Sequence, residues 1–242
     1  YFCLGKSSLS IRLKDFSMQD KICTNVLAIG IPASLGSLLM SVSQIIINSQ
    51  ITVYGDMAIA AYGVAAKVNM LVSFVAVGIG QGVQPILGYC YGAQNRQRFT
   101  ETLRFSLYFS LFLCALTTLF CFCFTQPIVK AFLTDESALE YGIQFSRVML
   151  MTAWTFGIFY VLMNALQAMG AAGSSLIISV SRQGIIFIPT VFIMNFISGL
   201  DGLILAQPIA DILSLLLVII LLRKEMKKIS PVTKKTVLSY NE

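Results

Sequence analysis

The sequence predicts an all-α integral membrane protein built as one bundle of six membrane-spanning helices. Three observations predict it. The chain is 57% hydrophobic and 12% charged, with a mean hydropathy of +0.81, whereas soluble domains carry about 25% charged residues. Long apolar stretches recur, each near the roughly 20 residues a helix needs to cross the hydrocarbon core. Lys and Arg gather at alternate ends of these stretches, as they do in cytoplasmic loops.

Residues 1–25 read as a polar, basic cytoplasmic linker carrying Lys6, Arg12, Lys14 and Lys21. Residue 1 is Tyr with no leader pattern, so the chain reads as a piece of something longer. Asp20 has the chemistry of an N-cap for the first helix. The first span is expected over 26–51. Its Ser34, Ser37, Ser41, Gln44 and Asn48 recur in steps of three and four, which puts all five on one helix face. Such a stripe avoids lipid. It serves either interhelical packing or the lining of a polar cavity.

The second span, 57–88, follows an outer loop at Gly55-Asp56 and holds Lys67, Asn69, Gln81 and Gln84. Counted from the outer end, Lys67 lies roughly 15 Å deep. The inner half of this span, Gly78-Ile-Gly-Gln-Gly-Val-Gln-Pro85, would read as a loop in water. In a bilayer it reads as a weakened helix buried among others, because lipid cannot satisfy the backbone groups Pro85 frees. The spacings Gly78-x-x-x-Gly82 and Gly88-x-x-x-Gly92 are expected to permit close helix approach. Arg96, Arg98 and Arg104 then mark an inner loop.

The third span, 103–124, leads to an outer connection in which Ile128-Val-Lys-Ala-Phe-Leu suits a short interfacial helix. Asp135 and Glu136 suit the N-terminal end of the fourth helix, where negative charge complements the dipole. The fourth span, 145–169, offers Trp154, Asn164, Gln167 and a Met- and Phe-rich wall. The fifth, 176–196, holds Pro189. The sixth, 203–222, holds Gln207, Pro208 and Asp211. Pro32, Pro85, Pro189 and Pro208 give four spans a candidate hinge. Arg147 and Arg182 lie nearer span ends and are expected to snorkel. Residues 223–242, with Arg223, Lys224, Lys227, Lys228, Lys234 and Lys235, read as a cytoplasmic basic tail. Both ends of the 26–222 bundle therefore face the cytoplasm.

Two intramembrane charges stand out, Lys67 and Asp211, of opposite sign and similar counted depth. They are expected to pair, as a packing device or as part of a pathway. The net charge of +6 is mostly a topology signal. No basic folded domain accompanies it, so no nucleic-acid partner is expected. The six cysteines include no Cys-x-x-Cys and the chain has no histidine. Neither a metal site nor a disulfide framework is expected. No nucleophile–base pair or paired intramembrane carboxylate appears, which argues against an enzyme.

These residues carry a resemblance. Ile59-Ala-Ala-Tyr-Gly-Val-Ala-Ala-Lys67, Gly78 to Pro85 and Gly88-Tyr-Cys-Tyr-Gly-Ala93 look like the eighth helix of multidrug and toxic compound extrusion (MATE) transporters. The likeness is to their MepA- and DinF-like bacterial branch. Gly30-Ile-Pro-Ala33, Leu166-Gln-Ala-Met-Gly170, Ser181-Arg-Gln183, Gly199-Leu-Asp-Gly202 and Gln207-Pro-Ile-Ala-Asp211 agree in order. The resemblance implies the C-terminal lobe, helices seven to twelve, of a twelve-helix antiporter in the inner membrane. That antiporter would export amphipathic organic cations in exchange for Na⁺ or H⁺. Its partners would be membrane lipid, the N-terminal lobe of the same polypeptide and small organic cations.

Gln44, Asn48, Asn69, Gln81, Gln84, Asn164 and Gln167 are then candidates for the substrate cleft. Where one MATE branch has acidic residues in its seventh and tenth helices, these spans carry only amides. The coupling ion is therefore expected in the N-terminal half, with no cofactor in this one. A lipid-linked oligosaccharide flippase of the same superfamily is the alternative, since Lys67, Arg147 and Arg182 outnumber Asp211 within the spans. A non-transporting membrane scaffold is a further one.

Overall fold

The computed structural model describes residues 22–133 and 135–226. The linker reading of residues 1–21, including the Asp20 cap, and the tail beyond residue 226 lie outside the described residues. Eight α-helices follow in order: α1 (Ile22–Thr52), α2 (Asp56–Gly92), α3 (Arg96–Cys123), α4 (Thr125–Lys130), α5 (Glu136–Ala153), α6 (Thr155–Ala168), α7 (Ala172–Val180) and α8 (Ile188–Met226). A π-helical segment, Ser181–Phe187, joins α7 to α8.

These elements make the six expected spans. The first three are α1, α2 and α3. The fourth is α5 with α6, bent by 47°. The bend falls at Trp154, not at a proline. There the indole donates to the carbonyl of Met151 (2.9 Å) and the Thr155 hydroxyl to that of Thr152 (2.6 Å). Side chains thus satisfy carbonyls that a broken helix leaves without i+4 donors. The fifth and sixth spans share one helical run that turns at Gly199, with φ 56° and ψ −130°. Arg182 and Asp211 touch although 29 residues separate them. A straight helix would hold them about 43 Å apart, so the chain folds back at Gly199. No L side chain adopts that conformation readily.

The turns and helix ends have local causes. The side chain of Asn95 caps α3 by accepting from the backbone N–H of Arg98 at 3.0 Å. Glu136 opens α5 with an acid in its first turn. At the end of the bundle that holds the Gly55 turn, the Tyr54 hydroxyl donates to Asn195 (2.7 Å) and Asn195 donates to Gln50 (2.8 Å), which ties α1 to the fifth span beside Gly199.

The bundle's interior divides into three apolar clusters. Ile47, Ile51, Ala61, Phe145, Phe187, Val191 and Leu203 fill the half near the Gly55 and Gly199 turns. Leu87, Phe99, Leu103, Leu162, Leu166, Ile178 and Val218 fill the half near the Asn95 and Gly170 turns. Val68, Val72, Cys114, Leu150 and Phe156 join α2, α3, α5 and α6. Gly80 and Gly157 stand at close helix crossings, and Gly142 and Gly202 likewise leave no room for a Cβ. A Cβ on Gly80 would lie 2.6 Å from Asn164 Nδ2 and 3.0 Å from the Tyr160 carbonyl, and one on Gly157 would lie 2.7 Å from Ser110 Oγ. The expectation for Gly78 and Gly82 is corrected: nothing lies within 4 Å of a Cβ at either, nor at Gly92. Gly80, between the two, is the one that faces α6, because residues two apart on a helix point in different directions.

Candidate functional site

At mid-bundle, between the first two clusters, the Arg182 guanidinium donates from Nη2 to Asp211 Oδ1 at 3.0 Å. Arg182 sits in the π segment. Pro189 follows, and its missing N–H deprives the Ile185 carbonyl of an i+4 donor while its ring crowds that carbonyl. Wider winding in the turn before it relieves both. The loosened segment also accepts from outside: Ser43 of α1 donates to the Gln183 carbonyl at 2.6 Å.

Asp211 is 4% exposed. Gln207, one turn earlier, donates its amide to both carboxylate oxygens at 3.2 Å. The Arg182 guanidinium lies 4.3 Å from the Phe159 ring centroid, 5.6 Å from that of Phe156 and 5.5 Å from that of Tyr160. Its Nη1 donates to the Tyr160 hydroxyl at 3.4 Å. A buried charge survives when it is paired and hydrogen-bonded, and these two are.

The expected Lys67–Asp211 pair is therefore corrected, since Arg182 takes the carboxylate. Lys67 is exposed, and its ammonium lies 5.7 Å from the ring centroid of Phe132, in the turn after α4. It stands level with the outer connection rather than at mid-depth. The physical reason is length. At 37 residues, α2 runs about 55 Å, far beyond a hydrocarbon core of about 30 Å. Counting inward from its first residue overstates depth. The snorkelling expected of Arg182 is corrected too. Arg182 lies inside the bundle, where it pairs with the buried Asp211. Arg147 is exposed, 5.8 Å from the ring centroid of Phe122 near the end of α3.

The polar stripe of α1 lies open. Ser34, Ser37, Ser41 and Asn48 are exposed and Gln44 is half-buried, whereas Ser43, Ile47 and Ile51 on the inward side are buried. On α2, Gln81 and Pro85 are exposed and Gln84 is half-buried. Gln167 on α6 is half-buried as well. Two amides expected at a cleft are instead inside the lobe. Asn164 is 7% exposed and donates to the Tyr160 carbonyl at 2.8 Å. Asn69 is 9% exposed, with its Oδ1 unpartnered.

The prolines divide likewise. Pro85 and Pro208 sit within continuous helix, Pro189 follows the π segment, and Pro32 lies within α1. Among the described residues no cluster of three metal-ligating side chains occurs.

The described residues thus form a bundle of membrane-spanning helices with a charge pair at its centre and an open polar stripe on α1. A family model described as MatE matches residues 32–193, and the chain belongs to the MatE family. It is 28% identical over 229 residues to the multidrug export protein MepA of Staphylococcus aureus strain N315, covering 93% of this chain and 50% of MepA. It also superposes on a multidrug resistance MATE family transporter of the MOP superfamily in its outward-facing conformation. There the TM-score is 0.84 at 20% identity, covering 93% of this chain and 51% of the other. Against the Vibrio cholerae MATE transporter VcmN in its bent form the TM-score is 0.82 at 18% identity, covering 91% and 50%. The chain spans about half the length of the curated relatives it matches. It is a multi-pass membrane protein with the fold of one MATE lobe.

Proposed function

We propose that this chain is the C-terminal lobe of a multidrug efflux antiporter that exports amphipathic organic cations in exchange for Na⁺ or H⁺. The observation that carries the reading is the α1 stripe. Serines and amides that lipid would penalise lie exposed on the lobe, so they call for a facing wall across a wet cleft. A second six-span lobe of the same polypeptide supplies that wall. Rocking one lobe against the other alternates access. Gln44, Asn48, Gln81, Gln84 and Gln167 contact substrate from this side, while Asn69 and Asn164 stiffen the crossing behind it. The 1–25 segment links the lobes and the 223–242 tail anchors the inner face. Both are cytoplasmic, in the inner membrane, on the strength of their Lys and Arg.

The coupling ion binds in the other lobe. Asp211, the one acid well inside a span, is already matched by Arg182. The flippase reading loses its support for the same reason. Arg182 is neutralised, and Lys67 and Arg147 are exposed beside the outer ends of the bundle.

The test is efflux by the complete polypeptide in a host stripped of its own pumps. Ethidium accumulation should fall, and a Na⁺ or proton ionophore should restore it. Unchanged accumulation with verified membrane expression rejects the proposal.

A further inference from the structure

Lys67 and Arg147 are charges to which the cleft reading gives no role. Both are exposed, and among the described residues neither donates a hydrogen bond or joins an ion pair. What each meets is an aromatic ring. The Lys67 ammonium stands 5.7 Å from the Phe132 ring centroid and the Arg147 guanidinium 5.8 Å from that of Phe122. A ring attracts a cation through its face and occupies no directed hydrogen bond. The N–H donors of both side chains are therefore left for a ligand that accepts them. Glu140, the acid nearest Arg147 along α5 on the same side, is two turns away.

Packing puts the two cations at one level. α2 and α5 lie side by side, since a Cβ on Gly142 would stand 4.0 Å from the Ala61 Cα. They run in the same direction, because further along α2 Gly80 meets Tyr160 of α6, which continues the α5 span. Lys67 is six residues beyond Ala61 and Arg147 five beyond Gly142, so the two differ in level by about 1.5 Å.

That level is a headgroup boundary. No charged side chain follows Arg104 on α3, and the exposed large side chains from Phe105 to Phe122 are Phe, Leu and Tyr108. Arg104 and Phe122 are 18 residues apart, about 27 Å of helix, which matches a hydrocarbon core of about 30 Å. Phe122, with Arg147 beside it, marks one edge of that core and Arg104 the other. Deeper than the two cations the exposed neighbours are apolar: Met70, Leu71 and Phe74 on α2, Met151 and Trp154 on α5.

We infer that Lys67 and Arg147 form two binding sites for anionic phospholipid, in the leaflet at the Gly55 end of the bundle, one beside Phe132 and one beside Phe122. The headgroup phosphate accepts from the free donors, through the guanidinium fork at Arg147 and as a point charge at Lys67. The acyl chains lie along the apolar side chains deeper in. Charge selects the lipid. A zwitterionic headgroup brings its own cation to the phosphate, whereas an anionic one leaves that charge for the protein. Two lipids held at one level fix how deep the α2–α5 corner sits. The inference rests on the chain's crossing the membrane and not on what it exports.

The experiment is native mass spectrometry of the complete polypeptide released from nanodiscs of equimolar phosphatidylcholine and phosphatidylglycerol, which differ in mass. Lys67→Gln and Arg147→Gln are each expected to retain about one phosphatidylglycerol fewer than the parent, and the double variant about two fewer, with phosphatidylcholine unchanged. Lys67→Arg and Arg147→Lys keep the charge and should retain the parent's count, which separates charge from any change in packing. A double variant that holds as much phosphatidylglycerol as the parent overturns the inference. So does an equal fall in both lipids, or a loss from the charge-keeping variants as large as from the Gln variants. Loss at one position only overturns the site at the other. Since efflux is not measured, either this inference or the efflux proposal can fail while the other stands.

Discussion

Asp211 and Gly80 are two positions where a change of a single atom has a large expected effect. Asp211→Asn would leave the Arg182 guanidinium in an apolar interior with a neutral amide opposite. Breaking a buried pair from one side costs about 3–5 kcal/mol, so a large loss of folded yield is expected. Replacing both members with apolar residues of similar volume should cost less than either single change, because no charge is left behind. Melting of the three variants in detergent orders them. A double variant less stable than both singles would mean the pair stabilises on balance.

At Gly80 a methyl group would meet Asn164 and the Tyr160 backbone at 2.6 and 3.0 Å. Gly80→Ala is therefore expected to cost about 1–3 kcal/mol by overpacking. Gly78→Ala, in open space, should be neutral or gain about 0.5–1 kcal/mol from helix propensity. The glycine-rich sequence advertised close approach somewhere in this stretch. It did not reveal which glycine, because that depends on the azimuth of α6. The partner of Asp211 was hidden for a related reason. Depth counted along one helix says nothing of neighbours, and the length of α2 misplaced Lys67. The signal that marks Arg182 is its place within an apolar stretch, seven residues before Pro189.

Elements were far more legible than contacts. Hydropathy located six spans because each must cover the same hydrocarbon thickness. A short helix in the connection after α3 and the acidic start of α5 were readable from local chemistry, although α4 lies three residues earlier than expected, at Thr125–Lys130. The bends were not. The 47° break falls at Trp154, where an indole and a hydroxyl substitute for backbone donors, while helix runs on through Pro85 and Pro208. Proline marks where a bend is cheap, and packing decides whether one is used.

The reversal at Gly199 is the firmest element-level prediction. Its φ of 56° with ψ of −130° is strained for any side chain, and a Cβ there would also press on the Tyr54 hydroxyl at 3.3 Å. Gly199→Ala should cost about 1–3 kcal/mol. It should also loosen the Tyr54–Asn195–Gln50 chain, seen as faster amide exchange at the end of α1. A melting temperature equal to the parent's would show that the turn relaxes freely.

For the molecule as a whole, the polar stripe of α1 is expected to mark the surface that meets water rather than lipid. Asn48 lies four residues before the end of α1 at Thr52, about 6 Å from it, whereas Ser34 is 14 residues and about 21 Å further in. Both are exposed on the lobe, as is Phe112 on α3. Exposure alone does not distinguish them, but polarity does: lipid accepts Phe112 and penalises Asn48 and Ser34. A cysteine-free background is needed first, since Cys123 is exposed. In that background Asn48→Cys should react with a membrane-impermeant maleimide added from outside, several-fold faster than Phe112→Cys. Ser34→Cys should react from outside only in the outward-open state, and so should change its rate when substrate or an ion gradient shifts the cleft. If Asn48→Cys is as inert as Phe112→Cys, the stripe is sealed against another helix. The serines and amides would then be packing residues, and α1 would line no pathway.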